Sequence, residues 1–159
     1  MTERISYQQL KDMGGLEALL KGRSGPRRRL RLCVDGLPSE EQEQLDLAGY
    51  LNDLKLEWGK TGKILVWNHN PHGGKRPKGE GGKLAAAGAS KGVPDNYIYS
   101  VPPLAPEARG VAIELKRAHK GVTSDDQKQW LDDLDACGWI TQVCYGAKEA
   151  IQFLKSLGF

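Results

Sequence analysis

The stretch GVPDNYIYSVPPLAPEARGVAIELKR, residues 92–117, decides how the chain is read. Strand-forming residues follow Asp95, and the loop PPLAPEAR separates them from the run Val111-Ala-Ile-Glu-Leu-Lys116. Prolines cannot donate to a sheet ladder, so two strands are predicted, at about 95–101 and 110–117. Side chains alternate along a strand, which sets Val111, Ile113 and Leu115 on one face and Ala112, Glu114 and Lys116 on the other. Glu114 and Lys116 then stand roughly 7 Å apart along the strand. In an antiparallel pairing, one register sets Asp95 opposite Lys116 and diagonal to Glu114. Two carboxylates and an amine would meet at one sheet edge. Paired carboxylates suit a hard cation such as Mg2+ or Mn2+. Such an ion eases the loss of a proton from bound water, and a nearby lysine can orient that water or stabilise a pentavalent phosphate.

The flanking sequence supplies layers for such a sheet. Ser39-Glu40-Glu41-Gln42 has the spacing of a capping box, and Gln44, Leu47, Ala48, Leu51 and Leu54 follow at helical spacing up to Gly59. Lys63–Trp67 reads as a strand. Residues 68–94 are rich in Gly and Lys and have no period of their own, apart from a possible helical turn at 84–87. Beyond residue 117, Ser124 and Gln127 predict another capping box, and the helix they open carries Trp130, Leu131 and Leu134 and stops at Gly138. WITQVCY is a strand, and 147–157 a last helix. The order is that of an α/β protein with a mixed central sheet flanked by helices. A domain is expected over 38–159, preceded at 1–37 by a helix (about 4–20), a basic arm and a possible short strand at 30–34.

Composition narrows the class of protein. At 159 residues, 39% hydrophobic and 27% charged, the chain can bury a core without staples. No apolar run approaches the roughly 18–20 residues of a membrane span, and MTERISYQQLKDMGG lacks the apolar core of a secretory signal. Cys33, Cys137 and Cys144 lack zinc-site spacing and read as small fillers in a reducing, cytoplasmic setting. The net charge is only +3, but its distribution is uneven. Lys21, Arg23, Arg27, Arg28, Arg29 and Arg31 form one cluster, and Lys75, Arg76, Lys78 and Lys83 another. Both lie among Gly and Pro and suit a polyanion. His69, His72 and His119 lack metal-site spacing and read as phosphate contacts or plain surface.

Taken together, HNPHGGKRPKGEGGKLAAAGASKGVPD, GVAIELKR and GVTSDDQKQWLDDLDACGWITQVCYGAKEAIQFL closely resemble the VRR-NUC family of PD-(D/E)XK nucleases over residues 39–157. The ordered matches are Gly-Gly-Lys-Arg, Gly-x-Pro-Asp, Ile-Glu-x-Lys-Arg and Ser-x-x-Gln-x-x-Trp-Leu. Asn-Pro-His before Gly73 departs from the Pro-Asn of relatives, and residues 1–37 have no counterpart. The resemblance implies a restriction-endonuclease-like core. It makes Asp95 and Glu114 metal-binding carboxylates, Leu115 a main-chain carbonyl ligand and Lys116 the catalytic lysine. It also brings in a glutamate from the first core helix, read as Glu40 one turn before Gln44, although Glu41 and Glu43 crowd the same turn. Gln127 would face the site, while Trp130 is read as core packing.

The implied activity is Mg2+- or Mn2+-dependent hydrolysis of DNA phosphodiesters. Lys75, Arg76, Lys83 and Lys91 would hold the backbone without reading sequence. Stand-alone members of the family resemble resolvases of four-way (Holliday) junctions. Symmetric cutting of such a junction needs two sites and therefore a homodimer. A flap-cutting or sequence-specific endonuclease, with the basic arm at 21–31 supplying contacts, is the nearest alternative. A catalytically inactive DNA-binding module is the other.

Overall fold

The computed structural model describes residues 36–71, 80–118 and 121–159. The chain divides into two units, Met1–Leu30 and Arg31–Phe159, and the described residues all belong to the second. The expected helix at 4–20, basic arm and strand at 30–34 lie outside them, as do Lys75, Arg76, His72, His119 and Cys33.

The elements are α1 (Glu40–Lys60), β1 (Trp67–His69), α2 (Glu80–Ala86), β2 (Asn96–Ile98), β3 (Val111–Lys116), α3 (Asp125–Ala136), β4 (Ile140–Tyr145) and α4 (Ala147–Ser156). The sheet order is β1-β2-β3-β4, with β1–β2 and β2–β3 antiparallel and β3–β4 parallel. The mixed α/β arrangement is the expected one. Every residue of β3 is buried, as a central strand with helices over both faces requires. Val111, Ile113 and Leu115 join Leu47 and Leu51 of α1 and Ala150 and Leu154 of α4 in one apolar core. α3 packs on β3 and β4, and its Gln127 bonds to Glu114, so it covers the face that carries Glu114.

Local chemistry accounts for the helix ends. The Ser39 hydroxyl accepts from Gln42 N at 3.1 Å, but the Gln42 amide donates to Asp46 at 2.9 Å. Only half of the expected capping box therefore forms. At the other end α1 runs past Gly59 to Lys60. Gly62, at φ +77°, makes the left-handed turn, with Lys63 N reaching Trp58 O at 3.0 Å and Gly62 N reaching Gly59 O at 3.3 Å. That six-to-one and five-to-two pair closes the helix. The box at Ser124 and Gln127 forms in full, and Gly138 ends α3 at φ +86°.

Two strands are displaced from their expected bounds. Regular pairing in β1 begins only at Trp67, because the Ser100 hydroxyl accepts from Val66 N (2.8 Å) and donates to Ile64 O (2.9 Å). A side chain thus satisfies groups that a backbone ladder would have used. β2 is correspondingly short. Its register with β3 sets Asn96 beside Ile113, and continuing that register puts Asp95 level with Glu114, not Lys116. The two carboxylates are direct neighbours on one face instead of diagonal ones.

Gly92 holds the turn before Asp95 against α3. It sits at φ +77°, and a Cβ there would come within 2.5 Å of Asp126 C and 2.7 Å of Gln127 N. Both obstacles are backbone and cannot swing aside. Gly92→Ala is therefore expected to cost about 2 kcal/mol or more of unfolding free energy, measured by urea denaturation. A loss below about 0.5 kcal/mol would show that the turn does not need this close approach.

Candidate active site

The site is assembled where β2 begins and β3 ends. Asp95, carried there by Gly92 and Pro94, accepts from Leu115 N through Oδ2 at 3.0 Å, so its carboxylate is tied to β3. Asn96, the next residue, is fully buried and points to α1, where it exchanges two amide hydrogen bonds with Gln44, both 2.8 Å. This reciprocal pair fixes α1 against β2. A buried amide left unpaired would cost about 1–3 kcal/mol.

Glu114 is 1% exposed, and its Oε1 accepts from Lys116 Nζ at 2.5 Å and from the Gln127 amide. Its other oxygen, Oε2, is buried and has no hydrogen-bond partner among the described residues. Burial pushes the Glu114 carboxyl up to about 7; the Asp95 and Glu40 carboxylates push the same way, and Lys116 opposes them. Lys116 is itself buried along its stem. A Cβ on Gly121 would lie 2.4 Å from Lys116 Cβ and 2.9 Å from Cδ, so the bare Gly121 backbone presses on the stem that aims Nζ at Glu114. Gln127 serves two ends at once: its Oε1 accepts from Ser124 N at 2.9 Å while its amide donates to Glu114.

An open cleft of about 250 Å³ adjoins this cluster, lined by Glu40, Glu41, Gln44, His69, Pro71, Asp95 and Leu115. The three glutamates in the first turn of α1 part company here. Glu40 and Glu41 line the cleft, and Glu40 is near enough to Glu114 to raise its proton affinity. Glu43 is buried and turned the other way, accepting from Ala147 N at 2.8 Å. It caps α4, whose preceding Gly146 at φ +92° has no side chain to do so. Arg117 anchors the entry to α1, donating to Pro38 O at 2.9 Å and Leu37 O at 3.4 Å. Lys83 and Lys91 are exposed but do not line the cleft, and Trp130 is half-buried on α3. Cys144 is buried, as a filler should be, whereas Cys137 is exposed.

His69, read as a phosphate contact or plain surface, lines the cleft and places Nδ1 2.9 Å from the main-chain carbonyl of Asp95. It stands at the end of β1, level with Asn96 and one residue from Asp95, a position that only the register reveals.

The donor set can be tested for a cation. Among the described residues no group of three or more His, Cys, Asp and Glu side chains is placed to hold a metal by itself. Yet Glu114 Oε2 is a buried acceptor without a donor, beside Asp95 and close to Glu40. Anionic oxygens gathered in this way repel one another unless a positive charge joins them. All-oxygen donors suit Mg2+ or Mn2+ and disfavour softer metals. The donor types suit such an ion, which Asp95 and Glu114 would hold, with Leu115 at the cleft wall offering its main-chain oxygen.

A solved structure named "VRR_NUC domain protein" matches 74% of this chain and 86% of its own, with a TM-score of 0.60 and 21% sequence identity. The two share a fold. Mixed sheet and flanking helices are thus restriction-endonuclease-like, as the sequence resemblance implied. No family model matches the sequence, and neither does any curated protein. Among the described residues no helix is long and apolar enough to cross a membrane.

Proposed function

We propose that the chain is a VRR-NUC-family, divalent-cation-dependent DNA endonuclease that cuts branched DNA, four-way junctions above all, as a homodimer. The observation that carries this reading is Asp95, Glu114, Lys116 and Gln127 gathered where β2 begins and β3 ends, beside an open cleft. When bound, Mg2+ or Mn2+ would supply Lewis-acid stabilisation of charge on phosphorus and ease deprotonation of water. Asp95 and Glu114 hold it, with Leu115 contributing a carbonyl and Glu40 acidic surroundings. Lys116, aimed by Glu114 and Gly121, orients the attacking water or meets the charge on the phosphate. Gln127 keeps the Glu114 carboxylate turned toward the site. Lys75, Arg76, Lys83 and Lys91 are assigned to the DNA backbone. The homodimer follows from the two-fold symmetry of a junction.

The test incubates wild type and Asp95→Ala with a labelled four-way junction, a 5′ flap and a linear duplex, each with Mg2+ or EDTA. Paired symmetric nicks on the junction, absent from the mutant and from EDTA, are expected. Metal-dependent cutting of the flap or duplex alone would overturn the junction assignment but keep the nuclease. Cutting unchanged in Asp95→Ala would overturn both.

A further inference from the structure

We infer that His69 is a further working residue of this centre, which steadies Asp95 and presents a hydrogen-bond acceptor to the attacking water. The inference rests on the nuclease reading above and deepens it.

Three observations carry it. First, the carbonyl oxygen of Asp95 accepts from Asn70 N at 2.7 Å and lies 2.9 Å from His69 Nδ1. β1 and its continuation therefore hold the backbone of Asp95 from one side, while Leu115 N holds its carboxylate from the other. Second, a carbonyl oxygen can only accept, so the bond to it places the imidazole proton on Nδ1. In the neutral ring the lone pair is then on Nε2. Third, His69 is exposed and lines the same cleft as Asp95, Glu40 and Leu115. A phosphodiester offers only acceptor oxygens, so the natural partner for a lone pair in that cleft is a water hydrogen. His69 thus orients the water without taking its proton. Asp95 is fixed by a residue that also touches the nucleophile, so the metal side and the water side of the reaction share one rigid connection.

The test compares wild type, His69→Ala, His69→Asn and His69→Gln in single-turnover cutting, with enzyme in saturating excess over DNA, across a Mg2+ titration. Asparagine can place its amide near the position of Nδ1 and keep the bond to Asp95, but has nothing in the position of Nε2. Glutamine reaches toward Nε2 and gives up the bond to Asp95. His69→Ala is expected to cut about 100-fold more slowly and to need more Mg2+. His69→Asn should regain the wild-type Mg2+ requirement while remaining slow. His69→Gln should show the reverse, a shifted Mg2+ requirement with part of the rate restored at saturation. DNA affinity, measured in Ca2+, should stay within twofold throughout. Cutting by His69→Ala within threefold of wild type would overturn the inference, and so would full activity in His69→Asn. Asp95→Ala and Glu114→Ala run beside these variants. If both still cut, the nuclease reading falls; if they are dead while His69→Ala is active, only the role of His69 falls.

Discussion

Lys116→Met is expected to slow DNA cleavage by about 10³-fold or more while leaving DNA affinity within twofold of wild type. Methionine keeps an unbranched stem of similar reach, so the contact with Gly121 survives and the loss isolates Nζ. Glu114 would lose the donor that lies 2.5 Å from its Oε1 and retain only Gln127. Single-turnover cleavage and fluorescence anisotropy with the same labelled DNA separate the two effects. A Lys116→Met enzyme within tenfold of wild type would remove the lysine from the chemistry. Gly121→Ala provides a graded companion, because it displaces the stem without deleting the amine. Its activity should fall between wild type and Lys116→Met.

The second large effect is a linkage between protons and the cation. The Glu114 carboxyl titrates near 4.5 in an unfolded chain and near 7 in the fold, where burial favours its neutral form. At pH 4 both states carry the proton and the group is neutral to stability. As the pH rises from about 4.5 to 7, the unfolded chain releases the proton and the folded one keeps it. Folding therefore loses up to about 3 kcal/mol by pH 8 in a chelator. A divalent cation favours the ionised carboxylate and opposes this loss. Melting temperatures in EDTA should therefore be lower at pH 8 than at pH 5.5, and saturating Mg2+ should raise the melting temperature more at pH 8. Below pH 7, the Mg2+ affinity should fall by up to tenfold for each pH unit, because binding must displace one proton. Equal Mg2+ effects at both pH values would show that Glu114 is not a ligand. Glu114→Gln should flatten the profile.

The sequence made the layers legible because each element announces itself locally. Ser124 with Gln127 opens a helix, Gly138 ends one, and an apolar run with two charges makes a buried strand. That Glu114 and Lys116 share one face followed from alternation alone, and an antiparallel pairing brought Asp95 to the same end of the sheet. Register did not follow, since nothing local tells whether Asp95 stands beside Glu114 or Lys116. It is the register in which the Asp95 carboxylate accepts from Leu115 N, while Asn96 is tied to Gln44 and Ser100 to residues 64–66. The choice among Glu40, Glu41 and Glu43 was equally hidden. It depends on the N-terminus of α4, some hundred residues away, which takes Glu43 for itself. The contact of His69 with Asp95 was hidden for the same reason: its partner is a backbone oxygen, and backbone oxygens carry no sequence signature.

Leu115 has a peptide hydrogen whose acceptor is not another peptide but the carboxylate of Asp95. Its neighbours are buried, so solvent has little direct influence on its magnetic environment. The resonance of that single amide, in a 15N-labelled sample, is thus a built-in gauge of the charge on Asp95. Protonation of the carboxylate, or its recruitment by a bound ion, would displace the signal well before any change in overall shape. The rate of its deuterium exchange would reveal how often the carboxylate lets go.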